Sequence, residues 1–148
     1  MSSWPDDAPG VLCLPSGRRV RGRSLRHPED HDDPQFGLYL GRRDRHFEWD
    51  HEWLPWPDFL LPRDRNAFAA AVLAAWERAA HERVEVACTG GRGRTGTALA
   101  CMAIIDGVAP TDAVSFVRSR YDKRAVETPW QRLFVRRFVS PHPGSIID

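Results

Sequence analysis

Cysteine is scarce in this chain of 148 residues, and no two cysteines form a C-x-x-C pair. The three that occur, Cys13, Cys88 and Cys101, are odd in number and lack the spacing of zinc ligands. Small secreted domains that depend on disulfides have dense, even-numbered cysteines, so that class is excluded. Unpaired thiols suit a reducing compartment, and we therefore expect a cytoplasmic protein.

Long apolar runs and a signal peptide are also missing. No stretch approaches the roughly 18 apolar residues of a membrane span, and residues 1–10 have neither a basic start nor an apolar segment. The six histidines form no H-E-x-x-H or similar motif, so neither a metal nor a cofactor is expected. The formal net charge is only +1, which argues against a nucleic-acid partner.

Lysine is nearly absent, because 20 of the 21 basic residues are arginine and the other is Lys123. Most of these arginines are expected to lie on the solvated surface. A single arginine therefore indicates function only where a motif surrounds it.

The first half of the chain is predicted to be rich in strands. Residues 11–25 surround a Pro-Ser-Gly turn and predict a hairpin, and the apolar run at 36–41 predicts another strand. The aromatic segment ending at Trp53 is interpreted as a further edge strand. Residues 64–83 have helical periodicity with Asp64 as N-cap, and residues 84–88 predict a buried strand.

Helices dominate the second half. Residues 94–106 are apolar nearly all round, which predicts a central helix packed on several sides. Two more helices are predicted over 110–121 and 129–139, the second with Thr128 as its cap and Pro129 in its first turn. Together, these elements indicate an α/β domain built on a small twisted sheet.

A glycine-rich loop joins the strand at 84–88 to the central helix. Its glycines permit unusual dihedral angles, so backbone N–H groups can converge on a tetrahedral oxyanion. The helix N-terminus adds its unpaired donors and its dipole at the same point. The predicted phosphate-binding residues are Thr89, Gly90, Gly91, Arg92, Gly93 and Arg94.

Cys88 and Arg94 lie at the two ends of this loop. An electropositive helix N-terminus favours the thiolate, which is the nucleophilic form of cysteine. Arg94 can close the site because a guanidinium bonds two phosphate oxygens at once. Thr95 is placed to donate a hydrogen bond to the sulfur when it leaves. We expect Cys88 to attack phosphorus and form a cysteinyl-phosphate.

Residues 88–96 resemble the CX5R(S/T) signature loop of the cysteine-based tyrosine and dual-specificity phosphatases. The resemblance implies that Cys88 is the nucleophile, that Arg94 binds phosphate and that the Thr95 hydroxyl stabilises the sulfur. This sequence departs from the family pattern at Ala87, where the family usually has histidine.

Two further segments resemble motifs of the same family. Trp56-Pro57-Asp58 is similar to the WPD loop and lies upstream of Cys88 with one predicted helix between. The resemblance implies that Asp58 is the general acid that protonates the leaving group. Gln131 resembles the glutamine of the late Q-loop, which orients the hydrolytic water. A plain helix start at Thr128 explains the same residues equally well.

Competing interpretations of the motifs are weaker. Cys13 to Arg19 also fits CX5R, but it has one glycine and a strand after it, so Cys13 is expected to be a small buried hydrophobic residue. Cys101 is expected to pack in the core. Gly91 to Gly96 fits a dinucleotide G-x-G-x-x-G motif, but no second parallel strand follows. A Walker loop fails because Thr97 stands where lysine is required.

The resemblance covers residues 54–133 and implies a compact phosphatase fold: a short, mostly parallel sheet with helices on both faces. We expect one catalytic domain over 1–148, with loose ends at 1–10 and 141–148. The implied reaction is phosphomonoester hydrolysis without metal or cofactor.

The implied partner is a phosphorylated protein, with phosphotyrosine as first choice, or a small phosphomonoester. An inositol phosphate or phosphoinositide is the enzymatic alternative, because Arg92 makes the loop more basic. A phosphate-binding module with little turnover is the alternative from another class, motivated by Ala87.

Overall fold

A computed structural model describes residues 3–26 and 32–141 of the chain. These residues form five strands and four helices. In chain order the elements are β1 (Val11–Cys13), β2 (Arg19–Ser24), β3 (Phe36–Gly41), β4 (Asp50–Pro55), α1 (Arg65–Arg78), β5 (Val84–Cys88), α2 (Gly93–Ile105), α3 (Ala113–Arg120) and α4 (Pro129–Arg136). No helix in the described ranges is long and apolar enough to cross a membrane.

The sheet has the order β1-β2-β5-β3-β4, in which only β1 is antiparallel to its neighbour. The predicted hairpin at 11–25, the strand at 36–41 and the edge strand ending near Trp53 are thereby confirmed. Because β2, β3 and β5 run in parallel, their carboxyl ends meet at one edge of the sheet. The register pairs Ser24 with Cys88, so the loop after β5 begins beside the end of β2.

Side chains of β5 alternate between two different environments. Val84, Val86 and Cys88 belong to the main hydrophobic core, which also contains the buried faces of all four helices. Helix α2 is buried along its whole length, as its apolar composition predicts. Glu85 and Ala87 point to the opposite face of the sheet because successive side chains on a strand alternate.

The α/β class and the short, mostly parallel sheet are confirmed. Of the helices expected on both faces, the four in the described residues pack in the core on the face with Val84, Val86 and Cys88. Across the strand order, the connections β2–β3 and β3–β4 step toward the β4 edge of the sheet, whereas the connection β4–β5, which contains α1, steps back. Right-handed connections must therefore place them on the face away from α1. Neither the described part of the first crossover nor residues 42–49 contains a helix. Aromatic and charged side chains cover this second face instead.

The N-terminal segment belongs to that cover. Trp4 is buried, and its indole Nε1 donates a hydrogen bond to the carbonyl of Val84 at 2.8 Å. The Arg21 guanidinium lies 4.0 Å from the centre of the Trp4 ring. Trp4 therefore anchors the segment 1–10 that was expected to be a loose start, and residues 142–148 of the other expected loose end lie outside the described residues.

Helix starts agree better with the sequence than helix ends. The Asp64 side chain accepts from the N–H of Ala67 at the start of α1, and Thr128 caps α4, both as predicted. The predicted helices at 64–83 and 129–139 end earlier, at Arg78 and Arg136. A side-chain cap is a local interaction within one turn, whereas an end depends on where the next element must begin.

A buried carboxylate ties the three central strands together on the second face. Glu85 on β5 is fully buried and accepts hydrogen bonds from Arg21 and Arg23 on β2 at 2.6–3.2 Å. The Tyr39 hydroxyl on β3 donates to the same carboxylate at 2.6 Å. Burial alone would raise the pKa of Glu85, but hydrogen bonds from Arg23 and Tyr39 outweigh it, and the net shift is downward.

Replacing this carboxylate should be costly. We expect Glu85→Gln to lower the free energy of unfolding in urea by about 3–5 kcal/mol, because two buried guanidinium groups lose their counter-charge. Glu82→Gln is the matched control. Glu82 pairs with Arg78 at the surface, where both side chains are about one-third exposed, and its loss should cost less than about 1 kcal/mol. Equal effects of the two substitutions would contradict this assignment.

The same carboxylate should contribute to acid sensitivity. Because its pKa is lowered on folding, its stabilisation is present above the unfolded value of about 4.3 and is lost as the pH falls toward the folded value. A plot of the free energy of unfolding against pH, from neutral to acidic pH, should therefore be flatter for Glu85→Gln than for the wild type. Parallel curves would mean that other carboxylates cause the acid sensitivity.

Candidate active site

The glycine-rich loop curls around the sulfur of Cys88. Cys88 ends β5 and is 2% exposed, and α2 begins at Gly93. The backbone N–H of Gly91 points at the Cys88 Sγ with an N–S distance of 3.2 Å. A backbone donor of the loop therefore contacts the sulfur, two residues before the start of α2.

Gly91 is required by both its conformation and its neighbours. Its φ is +73°, a region that side chains with a Cβ rarely adopt. A Cβ at this position would lie 2.7 Å from the backbone nitrogen of Ser24 and 2.8 Å from the carbonyl carbon of Arg23. Gly90 has no such neighbour within 4 Å. The loop can therefore lie against β2 only with glycine at position 91.

Two side chains hold the loop from outside. The Ser24 hydroxyl donates to the carbonyl of Thr89 at 2.6 Å, and the Tyr121 hydroxyl donates to the carbonyl of Gly91. Burial, and then the negative charges of Cys88 and Asp122, raise the pKa of Tyr121, so its hydroxyl remains a donor. Sequence reasoning missed Ser24 and Tyr121, since neither belongs to a motif and both reach the loop only through the fold.

Arg94 connects the loop with the Trp56–Asp58 segment. Its side chain is 4% exposed, and its Nη1 donates to the carbonyl of Trp56 at 3.0 Å. Its Nε lies 3.5 Å from the Asp58 carboxylate. The structure therefore places the predicted phosphate clamp beside the predicted general acid.

The segment with Asp58 is anchored at one end and open at the other. Trp56 is fully buried against Phe68, with ring centroids 5.5 Å apart, and its Nε1 donates to the carbonyl of Leu60 at 2.8 Å. The Asp58 side chain is 48% exposed. Phe59 has a φ of +62°, a strained conformation for an aromatic residue and one that clusters at functional loops.

Helix α4 fastens this segment from the other side. The Trp130 indole donates to the carbonyl of Phe59, and the Gln131 amide donates to the carbonyl of Leu60 at 3.2 Å. The Gln131 Oε1 accepts from the backbone N–H of Thr128, completing a capping box. In this conformation Gln131 is buried and bonded on both sides, so the helix-start interpretation is confirmed. Its predicted role toward water stays a prediction.

Of the remaining predicted site residues, Thr95 is buried and Arg92 is exposed. Thr95 is fully buried, and its hydroxyl has no hydrogen-bond partner within the described residues. Arg92 is exposed, with its Nε 3.5 Å from the carboxylate of Asp122. Thr95 thus keeps a donor available at the start of α2, whereas Arg92 lies at the rim of the loop.

Ala87 occupies a space without room for a larger side chain. It is fully buried in a small apolar cluster with Leu25 and Tyr39, and the Tyr39 ring stacks on Phe47 at 3.9 Å. A histidine at this position would have to displace one of these side chains. The aromatic stack therefore fills the space beside the loop.

The other two cysteines have no comparable surroundings. Cys13 ends β1 and is exposed, so the expectation that it is buried is wrong. The chain after it turns into β2 and not into a helix. Cys101 is buried as predicted, and burial raises the pKa of its thiol. Within the described ranges, no group of three or more histidine, cysteine, aspartate or glutamate side chains could hold a metal ion.

Two cavities meet at Asp58. The smaller, of about 90 Å³, opens over the Cys88 loop and is also lined by Arg26, Arg92 and Glu127. The larger, of about 450 Å³, is lined by Asp58, Thr89, Arg94 and residues of the β3–β4 connection. One phosphate fits the dimensions of the smaller cavity, and the larger has the size of a small-molecule site.

Comparison with known proteins identifies the family. Residues 48–142 match the family described as Swiss Army Knife protein, DSP-PTPase phosphatase domain (PTP-SAK). Two uncharacterized proteins of Methanocaldococcus jannaschii are each 32% identical over 87 residues, which is 59% of this chain and 54% and 58% of theirs. The chain thus spans a little over half the length of these curated relatives.

Solved structures with low sequence identity share the fold. Tk-PTP in its active form is 21% identical with a TM-score of 0.67, covering 86% of this chain and 93% of that one. Kinase associated phosphatase, with its catalytic cysteine replaced by serine, is 13% identical with a TM-score of 0.60 over 87% and 93% of the two chains. PTPMT1 in complex with PI(5)P is 15% identical with a TM-score of 0.55 over 69% and 74%. The chain therefore belongs to the PTP-SAK family of DSP-PTPase domains, within the dual-specificity and tyrosine phosphatase superfamily.

Proposed function

We propose that this chain hydrolyses phosphomonoesters through a cysteinyl-phosphate intermediate on Cys88. The observation that carries the proposal is the position of Asp58, which lines one cavity together with Cys88 and lies 3.5 Å from the Nε of Arg94. Backbone N–H groups of the loop and the Arg94 guanidinium would hold the non-bridging phosphate oxygens.

In the first step, the Cys88 thiolate forms a bond to phosphorus while the bond from phosphorus to the ester oxygen breaks. Asp58, in its acid form, gives its proton to the departing oxygen. In the second step water attacks phosphorus, Asp58 takes a proton from it, and the P–S bond breaks to release phosphate. Thr95, with its unpartnered buried hydroxyl, would stabilise the sulfur as it leaves.

The proposed reaction needs no metal, because Arg94, the N-terminus of α2 and the loop donors supply the positive charge that the transition state requires. Phosphotyrosine on a protein is the first substrate class, as the resemblance to tyrosine and dual-specificity phosphatases suggests. The free thiols of Cys13 and Cys101 suit a cytoplasmic location.

A small phosphorylated polyol or a phosphoinositide is the second candidate substrate. The arginine-lined cavity beside Asp58 favours it, and the solved PTPMT1 structure holds PI(5)P. A binding module with little turnover is the third candidate, but it would have no need for an acid beside the arginine. Hydrolysis of p-nitrophenyl phosphate separates an enzyme from a binding module.

Cys88→Ser should abolish hydrolysis of p-nitrophenyl phosphate, because a serine hydroxyl does not ionise at neutral pH. The variant should still bind vanadate or phosphate, since the loop donors remain. Cys13→Ser is the matched control and should keep most of the activity. Near wild-type turnover by Cys88→Ser would contradict the assignment of Cys88 as the nucleophile.

Asp58→Asn should slow cleavage of aryl phosphates by about 10²–10⁴-fold, the usual contribution of a positioned acid. The basic limb of the pH–rate profile should disappear with it, because that limb reports loss of the acid's proton. An unchanged profile would shift the role to Glu127, the other carboxylate that lines the smaller cavity.

Gly91→Ala should lower the free energy of unfolding by about 1–3 kcal/mol, the usual cost of a strained backbone conformation, and should weaken phosphate binding by displacing the loop from β2. Gly90→Ala is the matched control for stability, because a Cβ there meets no neighbour within 4 Å. Urea unfolding and phosphate titration measure the two effects. Similar stability losses in both variants would show that contact with β2 does not fix the loop.

A further inference from the structure

The larger cavity is more basic than one phosphate requires. Its lining includes Arg42, Arg43, Arg45 and Arg94, with Asp58 as the one carboxylate among the lining residues. Four arginines minus one aspartate give a formal charge of +3, although the whole chain carries only +1. A concave surface with such a local excess concentrates anions.

The three arginines of the β3–β4 connection are not used to hold the fold. Within residues 3–26 and 32–141, no hydrogen bond, ion pair or ring contact engages the side chains of Arg42, Arg43 or Arg45. The acidic residue between them, Asp44, pairs instead with His51 at 3.2 Å. All three guanidinium groups are therefore exposed and available to a ligand.

The connection itself is held in place by its aromatic residues. Phe47 stacks on Tyr39, and the Trp49 indole donates to the Tyr39 hydroxyl at 2.8 Å. At the other end, the Trp53 indole donates to the carbonyl of Gly41 at 3.0 Å. These contacts hold the chain on both sides of residues 42–45, which limits how far the backbone that carries the arginines must move when an anion binds.

The position of the cavity relates these arginines to the reaction. Asp58 lines both cavities, so a ligand whose phosphate lies over Cys88 can extend past Asp58 into the larger one. Leu40 and Trp53 give that cavity an apolar wall for a carbon skeleton. A volume of about 450 Å³ suits a compact small molecule enclosed on several sides.

We propose that Arg42, Arg43 and Arg45 form a subsite for a second phosphate, and that this subsite favours the second candidate substrate over phosphotyrosine: a small polyol or sugar carrying at least two phosphate monoesters. A phosphate carries a charge of about −1.5 to −2 at pH 7 and accepts the paired donors of a guanidinium, which matches the excess charge of the cavity. The proposal rests on the proposed function, because the other phosphate is the one held over Cys88.

The test compares kcat/KM for an inositol bisphosphate with kcat/KM for an inositol monophosphate. In the triple variant Arg42→Gln, Arg43→Gln, Arg45→Gln, the ratio of the two values should fall at least tenfold, about the effect of losing one charge-assisted contact. An unchanged ratio would overturn the subsite.

The matched control removes the same three charges from α4 and the residue after it, as Arg132→Gln, Arg136→Gln, Arg137→Gln. Its ratio should stay within about twofold of the wild type, because none of these three residues lines either of the two cavities. An equal fall of the ratio in both triple variants would mean that only the net charge of the protein matters, and it would overturn the subsite.

Further arms identify the source of the second phosphate. Vesicles that contain a phosphoinositide bisphosphate test whether the ligand is a lipid headgroup or a free polyol. A selective fall of the bisphosphate-to-monophosphate ratio in the Arg42, Arg43, Arg45 triple variant, with either the lipid or the free polyol, supports the proposal. Singly and doubly phosphorylated peptides test the other substrate class, a phosphorylated protein. A larger loss of ratio with peptides than with inositol phosphates would overturn the assignment to a small molecule.

Binding separates this proposal from the proposed function. Calorimetric titration of Cys88→Ser with an inositol bisphosphate and with inorganic phosphate needs no turnover. Tighter binding of the bisphosphate that disappears when the triple substitution is added would support the subsite even if p-nitrophenyl phosphate were not hydrolysed. Equal affinity for the two probes would overturn the subsite even if hydrolysis were fast.

Discussion

The Glu85 carboxylate joins the three central strands on the face of the sheet that no described helix covers. Its partners come from β2 and β3, so a single fully buried group couples β5 to both of its neighbours. A charge in such a place is tolerated only because its oxygens are fully hydrogen-bonded and opposite charges surround it. Strand pairing in this register sets Ser24 beside Cys88, and the phosphate loop depends on that neighbour.

The same network reaches the second cavity through Tyr39. Its hydroxyl donates to Glu85 and accepts from Trp49, while its ring stacks on Phe47. Tyr39 also packs against Ala87, so a single aromatic residue fills the space beside the loop and holds the segment that carries the cavity's arginines. The surroundings of Cys88 and the proposed subsite thus share one structural support.

The Asp58 segment depends on three separate parts of the chain. Trp56 anchors it in the core, Trp130 and Gln131 bind its carbonyl groups from α4, and Arg94 contacts it from the loop. The proposed phosphate clamp and the proposed general acid are therefore linked, because Arg94 contacts the Asp58 carboxylate and the Trp56 carbonyl. A shift of Arg94 toward a bound phosphate would change the contacts that hold Asp58.

Local signals in the sequence determined much of this protein: the strand that ends at Cys88, the glycine loop, the Trp56–Asp58 segment and the caps at Asp64 and Thr128. Each of these depends on residues a few positions apart, so composition and spacing are enough to predict them. Only the tertiary structure decided which of the 20 arginines line a cavity, because exposed arginines look alike in sequence. It also decided that helices cover one face and that Ser24 and Tyr121 support the loop. Ser24 lies 65 residues from Thr89, and Tyr121 lies 30 from Gly91. Contacts over such separations arise only when parallel strands and their crossovers bring distant segments to the same edge of the sheet.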